Sequence, residues 1–312
     1  MLGTVLAVAL AAAAQASPPA PAAPLQTSPA VNPFAVQFDL PSAITGRTYR
    51  IYVSRPLGPT PKAGWPVVYV LDADVTFASL SAQMVMRTAG GDGGALLVGV
   101  AYPNAMATLT LRTRDLTPSQ PSADAQAIGE LKPKPEDFGG GEAFHRFMIE
   151  ELRPRIAAAY PVDPADQTLM GYSLGGLFTL GVLFHHPEAY RTYVAGSPSI
   201  WWNSREVLAG EAGFAAAVRA GKVAPRILIT SDAWEQDPAP QALPPAGPKR
   251  DAQLKELASA RMVDNARDLA GRLAALPGRD GYRVRYVLFP EETHNTGIPA
   301  ASNRGLVFAL TP

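Results

Sequence analysis

The chain has 312 residues, of which 47% are hydrophobic, so it can bury a core in one large domain or two small ones. Lys and Arg total 27 and Asp and Glu total 27, so charge gives no reason to expect nucleic acid or an anionic membrane as a partner. The absence of cysteine excludes disulfides, a catalytic thiolate and cysteine-ligated metal sites.

The first 33 residues differ in composition from the rest of the chain. Residues 2–14 form an unbroken run of apolar and small residues, and the small-x-small sequence Ala14-Gln15-Ala16 follows. This pattern predicts a signal peptide over 1–16 and therefore a periplasmic or secreted protein, while a buried Ala-rich helix is the alternative interpretation. Residues 17–33 are rich in Pro, Ala and Ser and predict an extended linker. The apolar run is too short to span a bilayer, so we expect no stable membrane anchor.

From residue 34 onwards, short apolar runs alternate with patterns of helical spacing. Several of the apolar runs are continuous rather than alternating, as in strands that are buried on both faces of a parallel sheet. The alternation predicts one α/β domain over 34–312, with a mostly parallel, doubly wound sheet flanked by helices. The predicted strands are 35–40, 48–54, 66–71, 95–101, 167–172, 191–195, 225–231 and 282–289, and the predicted helices are 76–87, 141–159, 174–186, 206–220 and 250–275.

Two stretches do not fit this alternation. Residues 103–140 and 236–250 are rich in Pro, Gly and polar residues, and each follows the end of a predicted strand. Long loops in a compact domain are usually functional or disordered, and α/β proteins bind ligands at the carboxyl ends of their strands.

The most informative motif is the G-x-S-x-G pentapeptide at residues 171–175. It follows a predicted strand and opens a predicted helix, which is the setting of a nucleophile elbow, so Ser173 is the candidate nucleophile. The turn needs small neighbours, and the helix N-terminus favours developing negative charge. The alternative is a Gly-rich strand–helix turn with an incidental serine.

A serine nucleophile needs a base, and the chain has four histidines. His145 lies on the amphipathic helix before the elbow strand, and His185 and His186 end the helix after it, so each has a structural explanation. His294 follows the last predicted strand, where the Ser, acid, His order of α/β hydrolases requires the base. We therefore expect His294 to be the base.

The acid that orients the histidine should follow the strand 225–231. Asp232, Glu235 and Asp237 are the candidates at that position, and either of the first two could instead cap the loop. Asp232 lies directly at the strand end and Glu235 is three residues further on. We prefer Glu235 and keep Asp232 as the alternative.

The oxyanion formed in acyl transfer needs two backbone amides. One is expected from Leu174, the residue after the nucleophile, and the other from the loop 71–75, where Asp74 is the candidate although the sequence does not single it out. Asp72 and Asp74 are more typical of a turn than of a metal site. With no ligand set at metal-binding spacing, we expect no metal.

Four further residues are candidates for substrate binding. Arg112 and Arg114 could hold an anionic or oxygen-rich group, or an Arg–Asp pair could simply fix their loop. Trp201 and Trp202 follow a strand end and could line an acyl or aromatic pocket, or could equally cover the core.

The stretch 139–203, with the elbow at its centre, resembles the putative-esterase family of α/β hydrolases. The run Arg-x-Arg-Asp-Leu-Thr-Pro at 112–118 and the loop Leu71-Asp72-Ala73-Asp74 are most similar to its siderophore-esterase branch, which cleaves enterobactin-type trilactones. The resemblance covers about residues 34–310. It implies the α/β-hydrolase fold, Ser173 as nucleophile and His294 as base.

The same resemblance bears on the acid and shows two departures. The family often has Gly-x-x-Glu after the strand that precedes the base, and that register falls on Glu235. Tyr172 stands where the family commonly has His, and it joins the candidates for substrate binding. The loop around His294 lacks the family's usual His-Gly.

Together these features predict a serine ester hydrolase that works through an acyl-enzyme and needs no cofactor. The expected partner is a small-molecule ester, such as a siderophore, and the neutral composition slightly favours a monomer. An acyltransferase with the same Ser-His machinery and a non-enzymatic binding protein on the same fold are the alternative functions.

Overall fold

The computed structural model describes residues 32–120, 134–239, 241 and 243–311. Within these residues, eight strands form one sheet at the predicted places. Every strand end lies within one residue of the prediction except the start of β5, which begins five residues earlier than predicted. The strands are β1 Ala35–Pro41, β2 Thr48–Ser54, β3 Trp65–Val70, β4 Leu96–Ala101, β5 Val162–Tyr172, β6 Thr192–Gly196, β7 Arg226–Asp232 and β8 Arg283–Phe289.

The strand order across the sheet is β1-β2-β4-β3-β5-β6-β7-β8. β1 and β2 pair antiparallel, β2 and β4 pair antiparallel, and the pairs from β4 to β8 are all parallel. Parallel strands end at the same edge of a sheet, so the segments that follow β3, β5, β6, β7 and β8 meet there. The predicted fold class, a mostly parallel sheet flanked by helices, is confirmed.

Ten α-helical segments connect or flank these strands in the described part of the chain. The predicted helix 141–159 is a continuous run in which α3 passes through a π-helical turn, Phe147–Leu152, into α4. The helices are α1 Ala73–Ala89, α2 Ala105–Leu116, α3 Gly141–Arg146, α4 Arg153–Ala159, α5 Leu174–His185, α6 Trp202–Arg205, α7 Glu211–Arg219, α8 Pro248–Ala260, α9 Met262–Ala274 and α10 Ile298–Leu310.

Three predicted segments need correction. The stretch 103–140 is not a long loop throughout, because α2 occupies twelve of its residues. The predicted helix 250–275 is two helices, since Arg261 has the left-handed φ of 48° and ends α8 before α9 starts. The predicted helix 206–220 begins with the 3-10 turn Glu206–Gly210 and becomes α-helical only in α7.

Alternation along the central strand β3 divides the core into two layers. Val67 and Tyr69 pack into the larger cluster, on the face covered by α5, α7 and α9, and Val68 and Val70 pack into the cluster covered by α1 and α10. All four side chains are almost completely buried. Neighbouring residues of a strand point to opposite faces, so a continuous apolar run is what a sheet covered on both sides requires.

The described residues from 33 onwards form one compact unit. The predicted signal peptide 1–16 and nearly all of the predicted linker 17–33 lie outside the described residues. None of the helices in the described part of the chain has the length and hydrophobicity that crossing a bilayer requires.

Candidate active site

Ser173 lies in the sharp turn between the end of β5 and the start of α5. Its φ of 60° and ψ of −120° belong to a region that residues with a side chain rarely adopt, and this strain turns the side chain out of the sheet edge. The amide of Ser173 donates to the carbonyl of Gly196 at 2.9 Å and fixes the turn to β6. A Cβ atom on Gly171 would lie 2.3 Å from the carbonyl oxygen of Gly175, so the turn closes only with glycine there.

His294 lies in the loop after β8 and faces the serine. Its Nε2 atom is 2.9 Å from Ser173 Oγ, within hydrogen-bond distance. Its Nδ1 atom is hydrogen-bonded to Oε1 of Glu235, so both ring nitrogens are engaged by the two other candidate residues. The histidine side chain is 39% exposed and Glu235 is almost completely buried. The structure therefore brings the predicted nucleophile, base and acid into one chain of hydrogen bonds.

Glu235 is held by three donors. It lies in the short 3-10 turn Ala233–Glu235 after β7, and the amide of Asp232 donates to its Oε2 at 3.0 Å. The hydroxyl of Ser197, the residue that follows β6, donates to the same carboxylate. A buried carboxylate is stable only when its oxygens are satisfied, and with His294 these contacts satisfy both.

A backbone contact joins the acid loop to the base loop. The amide of Trp234 donates to the carbonyl of Glu292 at 2.9 Å, next to both candidate residues. Because β7 and β8 are adjacent parallel strands, the loops that follow them leave the sheet side by side. The pair Glu235–His294 is thus assembled by two neighbouring loops that are bonded to each other.

Asp232, the alternative acid, has a different environment. It is completely buried, and its Oδ2 atom is hydrogen-bonded to the hydroxyl of Tyr172 rather than to the imidazole of His294. Burial raises the pKa of Asp232 to about 7, which leaves it partly protonated at neutral pH. The same Tyr172 hydroxyl donates to the carbonyl oxygen of His294 at 2.8 Å. A protonated Asp232 can therefore donate to Tyr172 Oη while Tyr172 donates to the base loop, so each hydrogen atom has one acceptor.

The amides expected to form an oxyanion hole lie at two helix starts. Leu174 is the first residue of α5, and Asp74 lies in the first turn of α1, where backbone amides have no partner inside the helix. In the same loop, the amide of Leu71 donates to Met170 and the amide of Val75 donates to the carbonyl of Asp72. Asp74 and Asp72 both line the cavity that contains Ser173.

Ser173 and His294 line a cavity of about 330 Å³. Most of the cavity wall is formed by side chains of α1, the ends of β3 and β5, and the start of α10. Arg112 of α2 also lines it, and its Nε and Nη2 atoms each donate to one oxygen of Asp72 at 2.8 Å. The cavity is lined by residues such as Val75, Thr108, Arg112, Tyr172, Ile298 and Ala301.

Arg112 combines the two interpretations that the sequence left open. Its ion pair with Asp72 fixes the start of α1, and it also lines the cavity. Arg114 is not among the residues that line the cavity; its carbonyl accepts a hydrogen bond from the amide of Gly140 at 2.8 Å. The neighbouring Asp115 is buried and accepts from Arg47, Tyr49 and Tyr102.

The expectation that Trp202 lines a substrate pocket is wrong. Its side chain is completely buried and its ring packs against Phe138, with ring centroids 5.5 Å apart. Trp201 packs against the same core cluster, and neither tryptophan is among the residues that line the cavity. A large apolar side chain after a strand end can cover the core or bind an acyl chain equally well. The sequence therefore could not distinguish between these two roles for the tryptophans.

Three features of the structure were not predicted from the sequence. The first is Ser197, which directly follows β6, the strand whose neighbours in the sheet carry the candidate nucleophile and the candidate acid. The second is the pairing of Tyr172 with Asp232. The third is a set of possible metal ligands that the sequence did not lead us to expect: Glu142, His145 and His186 lie together and could hold a metal ion. Only Glu142 and His145 share one helix, where an i,i+3 spacing signals a common face.

The comparisons with known proteins agree with this geometry. Residues 42–242 match the family described as putative esterase. The chain is 35% identical over 275 residues to the ferri-bacillibactin esterase BesA of Bacillus subtilis, covering 85% of this chain and 86% of that protein. It is 33% identical over 241 residues to the siderophore triacetylfusarinine C esterase of Aspergillus fumigatus, covering 73% and 77% of the two chains. The crystal structure of BES protein from Bacillus cereus superposes with a TM-score of 0.76 at 29% identity, covering 91% and 99%.

Proposed function

We propose that this chain, which belongs to the putative esterase family and is an ester hydrolase with the α/β-hydrolase fold, cleaves siderophore esters through a Ser173–His294–Glu235 triad. The observation that carries the triad is the short distance of 2.9 Å between Ser173 Oγ and His294 Nε2, with the other ring nitrogen held by a buried carboxylate. Geometry of this kind is what a serine nucleophile and its base require.

In the first half of the reaction, Ser173 Oγ attacks the carbonyl carbon of the ester while His294 Nε2 takes the hydroxyl proton. Glu235 accepts the hydrogen bond from Nδ1, which holds the correct tautomer and stabilises the imidazolium that forms. The tetrahedral oxyanion is held by the amides of Leu174 and Asp74, at the positive ends of α5 and α1. His294 then returns the proton to the leaving alcohol, and an acyl-enzyme remains on Ser173.

In the second half, water replaces the alcohol. His294 removes a proton from the water, which attacks the acyl carbonyl, and the same two amides hold the second oxyanion. Collapse of this intermediate releases the acid and returns the proton to Ser173. The residues of the chain account for every proton in the cycle, so this scheme calls for no cofactor.

Siderophores are proposed as substrates because the curated relatives that align over most of this chain are named for them. The cavity volume is at the lower end of the range for ligand sites, about 300–1,000 Å³. A cavity of this size takes one ester arm of a large ligand, with the remainder outside. Arg112 and Tyr172 line the cavity and are proposed to contact the acyl part; Arg112 also carries positive charge toward an oxygen-rich arm.

We also propose, from the N-terminal sequence alone, that residues 1–16 are a signal peptide and 17–33 a linker, which would place the catalytic domain in the periplasm or outside the cell. N-terminal sequencing of the protein purified from culture medium or periplasm tests this. A mature N-terminus at Ser17 is expected, and an intact Met1 in those fractions would contradict it.

The activity is tested with p-nitrophenyl esters of graded length and then with bacillibactin, enterobactin and triacetylfusarinine C, each with and without iron, with products identified by mass spectrometry. Ser173→Ala and His294→Ala are expected to lose nearly all turnover. Ser259→Ala on α8 and His185→Ala at the exposed end of α5 are the matched controls and are expected to keep it.

The outcomes separate the parts of the proposal. Hydrolysis of simple esters without hydrolysis of any siderophore would contradict the proposed substrate and leave the triad intact. Full activity of Ser173→Ala would contradict the triad. Transfer of the acyl group to an added alcohol, in preference to water, would point to an acyltransferase.

A further inference from the structure

Glu142, His145 and His186 form a cluster away from the triad. One ligand atom of each residue lies within 4.8 Å of the ligand atoms of the other two. His186 Nε2 is 3.1 Å from Glu142 Oε2, and the two imidazole rings have centroids 4.5 Å apart. Glu142 and His145 project from the same face of α3, and His186 caps the C-terminal end of α5. The cluster therefore joins two helices that are far apart in the sequence.

His145 is the rigid member of this cluster. It is 5% exposed, and its Nε2 atom is buried without a hydrogen-bond partner among the described residues. A buried polar atom without a hydrogen-bond partner lowers the stability of the fold, so its presence at this position calls for an explanation. An imidazole nitrogen that has no hydrogen-bond partner is available to bind a metal ion.

The other two members of the cluster, Glu142 and His186, have side chains that can change their conformation. The side chains of Glu142 and His186 are 66% and 34% exposed. In a tetrahedral zinc site with bonds of about 2.0–2.1 Å, ligand atoms lie roughly 3.3 Å apart, so the cluster needs only a small contraction. The exposed side chains can supply it by rotation while the buried ring stays in place. Their exposure also leaves room for a water molecule as a fourth ligand.

We propose that Glu142, His145 and His186 bind a divalent transition-metal ion, and that Zn²⁺ fits the site best. Two imidazole nitrogens and one carboxylate oxygen are a ligand set that Zn²⁺ accepts readily, whereas Mg²⁺ and Ca²⁺ prefer oxygen ligands alone. The carboxylate of Glu142 adds the negative charge that a divalent ion needs. This inference is independent of the proposed ester substrate.

The position of the site gives it a structural role. α5 has 12 residues, so its C-terminal end lies about 18 Å from the elbow at its start. A metal ion there is too distant to touch a substrate at Ser173. It would instead fasten α3 to α5, the helix whose first residue supplies an amide to the proposed oxyanion hole. We expect metal binding to raise the thermal stability of the protein and to change ester hydrolysis by less than about twofold.

The experiment uses the full chain after removal of metal ions with a chelator. Calorimetric titration with Zn²⁺ measures affinity, and Co²⁺ absorption spectra report tetrahedral coordination. Both are repeated in a His294→Ala background, so that binding at the triad histidine is not counted. Wild type is expected to bind one equivalent of Zn²⁺ and to show a higher unfolding temperature when it is saturated.

The variants identify the ligands. His186→Ala is expected to weaken Zn²⁺ binding at least tenfold and to abolish the thermal shift, and Glu142→Gln is expected to weaken binding to a smaller extent. His185→Ala, which removes the exposed neighbouring histidine, is the matched control and should bind as wild type does. Glu142→Gln alters only an exposed side chain, so it keeps the test valid if His186→Ala does not fold.

Two results would overturn the proposal. The first is the absence of saturable Zn²⁺ binding to the wild type up to millimolar concentration. The second is equal Zn²⁺ affinity of Glu142→Gln, His186→Ala and His185→Ala, which would place the ion elsewhere on the chain.

Discussion

Tyr172 donates its hydroxyl hydrogen to the carbonyl oxygen of His294 at 2.8 Å. The residue immediately before the proposed nucleophile thus holds the loop that carries the proposed base. Its ring also lies against the imidazole, with centroids 5.1 Å apart. We therefore expect Tyr172 to affect the proposed reaction through the position of His294, in addition to lining the cavity.

Tyr172→Phe is expected to lower kcat about tenfold with a smaller change in KM, because the base loop loses its anchor while the substrate keeps its cavity. It should also lower the free energy of unfolding by about 1–3 kcal/mol, since Asp232 loses its partner. Tyr193→Phe is the matched control, because Tyr193 donates to the carbonyl oxygen of His186 at the same 2.8 Å. Steady-state kinetics and chemical denaturation of both variants check this, and equal activities would contradict it.

Glu235→Gln is expected to lower kcat by about 10³–10⁴-fold, because an amide can hold the wrong tautomer of His294. Asp232→Asn is the matched control, since its side chain is buried nearby but is bonded to Tyr172. We expect it to keep at least a tenth of the wild-type kcat. Esterase assays on the two purified variants decide between the two candidate acids. A larger loss of kcat in Asp232→Asn than in Glu235→Gln would make Asp232 the triad acid.

Asp232 is expected to make the protein less stable as the pH rises, which is opposite to the usual effect of a carboxylate. Burial raises its pKa from 3.8 in the unfolded chain to about 7 in the fold, so between these values the native state binds a proton that the unfolded state lacks. This contribution to stability is complete below about pH 4, is lost as the pH rises to about 7, and changes little above. At about 1.4 kcal/mol per pH unit, a rise from 3.8 to about 7 corresponds to a loss of roughly 4–5 kcal/mol.

Asp232→Asn should remove this dependence and raise the free energy of unfolding at pH 8 relative to the wild type. Urea denaturation at intervals from pH 4 to pH 8 measures it, with the exposed Asp251→Asn on α8 as the control that retains the wild-type slope. An unchanged slope in Asp232→Asn would show that another group is responsible.

Two glycines of α5 should respond oppositely to the same substitution. A Cβ atom on Gly176 would lie 2.7 Å from the carbonyl oxygen of Gly196 and 2.9 Å from Pro198 Cα, so Gly176→Ala is expected to destabilise the protein by about 1–3 kcal/mol. Gly181 has no atom within 4 Å of the same position, so Gly181→Ala is expected to stabilise the helix by up to about 1 kcal/mol. Thermal denaturation of both variants measures the difference, and shifts of the same sign would contradict the packing described here.

The sequence predicts the sheet well because each strand is marked by the residues of the strand itself. Continuous apolar runs mark strands covered on both faces, and all eight predicted strands are confirmed. The helix boundaries are less accurate where no Gly or Pro marks them: Arg261 breaks a predicted helix by adopting a left-handed conformation that nothing in its identity signals. α2 went unrecognised because the Pro and Gly residues around it dominate the composition of the stretch 103–140.

The candidate site is predictable to the extent that it depends on strand ends. Ser173, His294 and Glu235 each follow a strand, and parallel strands end at one edge. Contacts between side chains of different loops cannot be read in this way, so the donor Ser197 and the pairing of Tyr172 with Asp232 emerge only from the structure. The burial of Trp202 is likewise a matter of tertiary packing.

The order of the strands also has a consequence for biosynthesis. The proposed base, His294, lies 121 residues after the proposed nucleophile, Ser173, on the loop that follows a strand at the edge of the sheet. At about 5–20 residues per second, a ribosome makes the segment between them in roughly 6–24 s. During that interval the nascent chain can form the elbow but has no base to activate it. If Ser173 and His294 act as proposed, a growing chain cannot hydrolyse esters until its last strand has docked, and the onset of turnover marks the completion of the sheet.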